Sequence, residues 1–353
     1  MKKSHLITIS AFCLLAALSL GLLIQHETVN GQSPSNPTNK SQTASRYRLS
    51  GPYSHKNLTI FLVHGNDIAR NTNFLTLQEA LDQKKVIVYE TKDVNELAIR
   101  NLSNQDVYVQ AGDIVRGGDQ DRMISVDFIV PRKSKRMPIA AFCVESGRWN
   151  QRGNEGNASF NSSANYATTK DLKLAAKSAN SQSAVWENVE VVQRKLSQNV
   201  QETVNVSASP SSLELSLENA KVKETTEDYI QALSGILHGR ADVIGYVFAI
   251  NGKVNSADIY ASRALFVKLW PKLLKANATE AVAELQPDST AAEVSDQAIH
   301  GFLDGAEKGE AKQQAVSPRV HLVTREDANN VFFETRDRAQ NGAWIHRNYI
   351  RKD

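Results

Sequence analysis

Short β-branched and aromatic runs alternate with polar turns through the first third of the chain. RYRLSGPY and NLTIFLVHG read as two strands, and similar runs predict strands over 85–89, 97–101, 107–110, 123–130 and 137–144. Thr76 precedes an apolar stretch with Glu79 three positions on, which predicts a short capped helix. The period then changes. Val185, Val189, Val192 and Leu196 recur at helical spacing behind Ser181, and Leu213, Leu217, Tyr229, Leu233 and Leu237 extend that pattern. Strands return over 243–250 and 254–259, around Asn251-Gly252, a strong two-residue hairpin signal. Ser262 caps a helix through Leu265, Phe266, Leu269 and Trp270, which Pro271 is expected to kink or restart. A helix over 292–307 and three strands over 319–350 complete the pattern, with Asn341-Gly342 as the last turn.

The order β, α, β, α, β contains no regular βαβ unit. It predicts an α+β fold with mixed or antiparallel sheets and several packed helices. The run VYVQAGD leaves a sandwich-like first half open. The Asn-, Gly- and Ser-rich segment 150–169 is expected to be a long mobile loop, with a lid and plain disorder equally open.

Two segments ahead of Arg46 stand apart. A basic Met1-Lys2-Lys3 start and the apolar run from Leu6 to Ile24 predict a signal sequence or N-terminal membrane anchor over 1–30. The polar stretch 31–45 reads as a disordered linker, since it has almost nothing to bury. The folded part is then a single domain over 46–353: β-rich over 46–150, the loop 150–169, helical over 170–240 and mixed over 241–353. The expected location is secreted or periplasmic, with the N-terminal segment as the membrane contact.

The formal net charge is +3, and Lys2, Lys3, Lys40 and Glu27 fall within the first 45 residues, so the remainder carries +1. A near-neutral domain without a basic block gives no electrostatic case for nucleic acid. Cys143 is the sole cysteine outside the leader and sits in an apolar run, as a buried small hydrophobe would. The histidines show no metal-ligand spacing, so no metal is assigned and the cofactor is left unknown. His346, in the strand-like WIHRNY, reads as structural.

The densest chemistry lies between Ala111 and Trp149, where RGGDQDR and ESGRW flank strand-like runs. Gly117-Gly118 suits a turn whose N–H groups cradle an anion. Arg122 and Arg148 suit paired bonds to a carboxylate or phosphate. Asp121 and Glu145 are the candidate catalytic acid and base. Asp113, Gly117, Gly118, Gln120, Arg122, Arg148 and Trp149 are the candidate ligand-binding residues, with Trp149 offering a flat face. The alternative is structural: Asp121–Arg122 and Glu145–Arg148 as ion pairs closing two turns, with Trp149 in the core. A hairpin of 123–130 with 137–144 is expected to bring Arg122 and Glu145 to one end.

AGDIVRGGDQDRMISVDFIVP and CVESGRW resemble signature segments of an uncharacterised family named for genomic association with ADP-ribosylglycohydrolases and rhodanese-like phosphatases. AINGKVNSADIYASRALFVKLWPKLL is similar to its second signature, and the likeness spans most of 50–280. Position by position it carries over to Gly112, Asp113, Gly117, Gly118, Gln120, Asp121, Arg122, Glu145, Gly147, Arg148 and Trp149. The resemblance implies a neighbourhood of NAD and ADP-ribose metabolism. The expected partner is therefore a polar, phosphorylated or sugar-like small molecule, bound or processed; a non-catalytic extracytoplasmic interaction module is the alternative. Whether the chain is an enzyme, and its oligomeric state, stay open at this level.

A chain starting at Arg46 is expected to keep the thermal midpoint of one starting at Gln32, because 32–45 bury no apolar area. A drop of several degrees on truncation would show that the linker packs onto the domain.

Overall fold

Asn251 and Gly252 adopt φ of 51° and 74°, the left-handed pair that a tight hairpin requires, and they join strands Val243–Ile250 and Lys253–Tyr260. This hairpin is the centre of an eight-stranded, wholly antiparallel sheet. The first two strands, Arg48–His55 and Leu58–His64, join one side of it. The C-terminal strands Ala343–Arg351, Asn330–Asp337, Val320–Glu326 and Ala311–Ala315 extend the other. The sheet therefore ties the two ends of the domain together, and 46–150 do not close into a sandwich of their own. The computed structural model describes residues 47–69, 72–149, 152, 159–286 and 293–353. The expected leader, the linker and most of 150–158 lie outside the described residues.

A second sheet has six strands in the order Phe160–Tyr166, Asp113–Gly117, Arg122–Ile124, Met137–Cys143, Glu96–Asn101 and Val86–Asp93. A bridge between Tyr89 and Ser159 brings its outer strands together, so the sheet curls into a small barrel. Strand alternation puts Val86, Val88, Val115, Ile124, Ile139, Ala141 and Phe160 in one buried cluster. Ile114, Met123, Phe142 and Val144 belong instead to the main core, with the helices and the inner face of the large sheet. A three-stranded sheet of Leu75–Thr76, Val107–Val109 and Phe128–Val130 adds one parallel pairing.

The fold is α+β, as the pattern predicts, and the differences have local causes. The expected strand 123–130 is two strands in different sheets, broken at Ser125 to Asp127. There the Asp127 carboxylate accepts from the Ala111 N–H at 2.9 Å and from Thr335 at 2.6 Å. The expected loop 150–169 contains strand Phe160–Tyr166. Its polar composition hides it, but Ser163 is satisfied by Glu214 at 2.8 Å and Asn165 by Glu218 at 2.8 Å. Strand Ala311–Ala315 is exposed at every position and leaves no alternation to read. The helical run 213–237 breaks into Leu213–Leu217 and Ala220–Leu233, where Asn219 caps the second piece by accepting from Val222 and Lys221.

Pro271 does not restart its helix: one helix runs from Arg263 to Ala283 through it. The carbonyl left without its usual donor is that of Val267, an exposed residue, where water can satisfy it. The last eight residues of that helix are all buried, consistent with an element enclosed on every side. Helix Lys170–Lys177, capped by Thr169, and helix Gln182–Val200, capped by Ser181, pack beside it. Helix Asp296–Ala306 covers the other face of the large sheet.

Gly245 marks the tightest approach in the large sheet. A Cβ there would lie 2.3 Å from the Asp258 carbonyl oxygen and 2.7 Å from the Ile259 Cα. Both are backbone atoms and cannot rotate away. Gly245→Ala is expected to cost upwards of about 2 kcal/mol, measured by urea denaturation; a loss within error of zero would contradict this packing.

Candidate functional site

The strand Asp113–Gly117 ends in a turn that needs two glycines, because Gly117 and Gly118 adopt φ of 124° and 56°. A side chain at Gly118 would also strike the Phe160 ring. The turn does cradle anions, but they are the chain's own. The Gly117 N–H donates to Asp121 at 3.1 Å, and the Asp119 N–H donates to Glu90 at 3.2 Å.

Beyond the turn, alternation sends Arg122 into the barrel and Asp121 away from it. Arg122 is buried and donates to Glu90 at 3.2 and 3.4 Å and to Gln120 at 3.3 Å. It also contacts the Cys143 thiol. Burial pushes that thiol up to about 11, and the Arg122 charge opposes the shift without reversing it. Cys143 is thus a buried thiol, not a thiolate. The expected Asp121–Arg122 ion pair does not form; the partner of Arg122 is Glu90, on a strand across the barrel.

Asp121 turns instead toward Glu145, Arg148 and Arg152. Cys143 pairs with Arg122 across neighbouring strands, which sets Glu145 beside the 119–121 turn, and the Asp121 N–H donates to the Glu145 carboxylate at 3.2 Å. The expected hairpin is interrupted, yet this register alone brings the two clusters together. Arg148 grips Glu145 side-on, Nε to Oε1 at 2.8 Å and Nη2 to Oε2 at 2.8 Å, and its Nη2 lies 3.8 Å from Asp121. Arg152 makes two bonds to Asp121, at 2.9 and 3.2 Å, and lies 3.6 Å from Glu145. Ser212 adds a donor to Asp121 at 3.4 Å. Two carboxylates with no exposed surface therefore share two guanidiniums.

The two carboxylates sit in different fields. Burial raises the Asp121 pKa above its ordinary 3.8; Arg152 pulls it down and the Glu145 charge pushes it up further. Burial also works against ionised Glu145, but hydrogen bonds from Arg148 and Ser209 outweigh it and hold the pKa below the ordinary 4.5. Adjacent acids whose values are pushed in opposite directions are the pattern in which two carboxylates can take different acid–base roles.

The other expected residues divide. Gln120 is buried on the barrel side with Arg122, and its amide nitrogen finds no partner among the described residues. Trp149 is 54% exposed, which rules out the core position of the structural alternative. Asp113 lies at the far end of its strand from Gly117, pairs with Lys272 at 2.7 Å and accepts from the Gln110 N–H at 3.0 Å. It is not part of the cluster. Glu90, Arg152 and Ser212 complete the cluster and were not expected from the sequence. A carboxylate that continues the inward alternation of Val86 and Val88 along a strand is a readable sign for Glu90. An arginine in an Asn- and Gly-rich stretch carries none. Among the described residues no group of three or more His, Cys, Asp or Glu has the geometry to hold a metal, and no helix is long and apolar enough to cross a membrane.

Residues 46–350 match the family model of the ARG and Rhodanese-Phosphatase-superfamily-associated Protein domain, and the chain belongs to that family. No curated protein and no solved structure matches it.

The opposed shifts have opposite consequences for stability. Glu145, held below its ordinary value, stabilises the fold above pH 4.5, and that contribution is lost as pH falls through its depressed folded value. Asp121, held above its ordinary value, costs stability as pH rises from 3.8 through its raised folded value. At neutral pH, Glu145→Gln is expected to cost about 3 kcal/mol and Asp121→Asn about 1 kcal/mol or less, read from urea melts. Equal losses would contradict the split.

Proposed function

We propose that the Asp121–Glu145–Arg148–Arg152 cluster is the ligand-facing centre of an extracytoplasmic domain that binds or processes a phosphorylated or sugar-like small molecule. The observation that carries this reading is the pair of buried, adjacent carboxylates bridged by the Arg148 guanidinium. In a hydrolytic step Asp121 supplies the proton and Glu145 stays ionised, holding Arg148 in place. The guanidiniums of Arg148 and Arg152 stabilise negative charge on the ligand, and the exposed ring of Trp149, next to Arg148 in the chain, stacks on a base or sugar. The family's association with ADP-ribosylglycohydrolases makes ADP-ribose and related nucleotides the first compounds to try. The extracytoplasmic location rests on the apolar N-terminal segment of the sequence.

One observation favours a second reading, a non-catalytic interaction module. Each of the two carboxylates already has guanidinium partners within the chain, so the cluster is also complete as a structural latch.

Calorimetric titration of ADP-ribose, nucleotides and sugar phosphates separates the two. On the first reading one of these binds, Trp149→Ala weakens it at least about tenfold with the thermal midpoint unchanged, and Arg148→Lys binds between wild type and Arg148→Ala. On the second none binds, and Arg148→Ala costs about 3–5 kcal/mol of stability because it strands Glu145.

A further inference from the structure

A cavity of about 440 Å³ opens on another side of the molecule, where strand Met137–Cys143, helix Lys170–Lys177 and the last strands of the large sheet meet. That volume falls in the range of small-molecule sites. Its lining includes Ser125, Asp127, Ile139, Lys177, Asn180 and Gln314. Lys177, in the last turn of its helix, is the cationic side chain of that lining. The residue is half-buried as a whole, yet its amino group lies deep: Nζ donates to Asn348 Oδ1 at 2.7 Å and stands 4.3 Å from the Phe333 ring centre.

From Lys177 a hydrogen-bonded path runs through buried side chains to Asp127, a second residue of the lining. The Asn348 amide donates to Asp258 at 2.9 Å, His346 Nε2 lies 3.0 Å from the same Asp258 oxygen, and His346 Nδ1 lies 2.7 Å from Asp127. Asp127, like Lys177, is a residue of the cavity lining. Asp127, Asp258, His346 and Asn348 are all buried. Tyr260 stacks on the imidazole at 4.5 Å, Thr335 donates to Asp127 at 2.6 Å and Tyr246 donates to Asp258 at 2.9 Å. A fold that needs only packing has little reason to bury a histidine between two aspartates, since such arrays stabilise poorly compared with apolar side chains.

The charged groups around Lys177 are Asp127, Asp258 and Lys173, with His346 behind the aspartates. Burial lowers the Lys177 pKa and Lys173 adds to that, while the two aspartates raise it without restoring the ordinary value. The imidazole is held above its ordinary value, against burial, by Asp127 and Asp258.

We propose that Lys177 is the nucleophile of a second centre, separate from the Asp121–Glu145 cluster, which takes a small aldehyde or ketone as a Schiff base in this cavity. The amine lone pair attacks the carbonyl carbon and forms the C–N bond. A proton leaving nitrogen passes to the carbonyl oxygen, giving a carbinolamine. The C–O bond then breaks, a proton held by His346 and handed on through the Asp127 carboxylate completes the departing water, and the remaining N–H proton returns to His346 by the same way as the C=N bond forms. A deep amine beside an acid–base relay is the arrangement such chemistry needs.

The test uses the wild-type protein, so no variant has to fold. Acetaldehyde with cyanoborohydride at neutral pH traps each imine as an N-ethyl lysine, and peptide mass mapping gives the rate at every lysine. Lys177 is expected to react at least about ten times faster than the exposed Lys253 and Lys312, because its lowered pKa leaves more of its amine unprotonated at neutral pH. An aldehyde carried on dextran, too large for the cavity, is expected to spare Lys177. Lys177 reacting no faster than Lys253, or dextran aldehyde labelling it as readily as exposed lysines, would overturn the proposal and leave Lys177 as a counter-ion of the buried aspartates.

Discussion

The Arg122–Glu90 ion pair is the constraint around which the candidate site is arranged. The barrel interior is apolar along Val88, Ile124 and Ala141, and at one end it closes on a buried guanidinium facing a buried carboxylate at 3.2 Å. Burying two charges is expensive and is offset only when their geometry is good and the remaining donors are satisfied. Glu90 also accepts from the Asp119 N–H and Arg122 also reaches Gln120, while the Arg122 Nε finds no partner among the described residues. The same contacts hold the Gly117-Gly118 turn on the barrel rim. Strand alternation then leaves Asp121 one choice: with Arg122 inside, Asp121 points outward to Glu145, Arg148 and Arg152. A slip of one residue would exchange the two and lose both clusters.

Large parts of this were legible in the sequence. The Thr76 capping box, the Ser181 and Ser262 caps and the Asn251-Gly252 hairpin stand where local chemistry places them, because each depends on neighbours within four residues. Meeting of the 117–122 and 145–149 segments was also legible, since it needs only antiparallel pairing of the runs between them. What was hidden depends on distant partners. Nothing near Asp127 announces His346 or Thr335, and those contacts split an apparently continuous strand between two sheets. Strand Phe160–Tyr166 looks like a loop until Glu214 and Glu218 satisfy its polar side chains. Pairing choice was hidden for the same reason: Arg122 follows Asp121 directly, yet its partner lies on a different strand.

Both polar centres follow one logic. Each sets carboxylates of contrasting surroundings beside cations, in a protein whose apolar cores already account for its folding. The Asp121–Glu145 cluster sits at the barrel rim with an exposed tryptophan next to it in the chain. The buried Asp258–His346–Asp127 path connects through Asn348 to Lys177, and Lys177 and Asp127 line one cavity. His346, read from the sequence as structural, has its ring nitrogens 2.7 and 3.0 Å from carboxylates of two different sheet regions.

Carboxyl-carbon NMR titration of Asp121 and Glu145 in the full domain tests the central claim most directly. The account predicts that Asp121 titrates above its ordinary 3.8 and Glu145 below its ordinary 4.5, with both moving when a bound phosphorylated or sugar-like ligand draws Arg148 away. Two carboxylates titrating together below 3.8, unmoved by any such ligand, would contradict it and mark the cluster as a structural ion network.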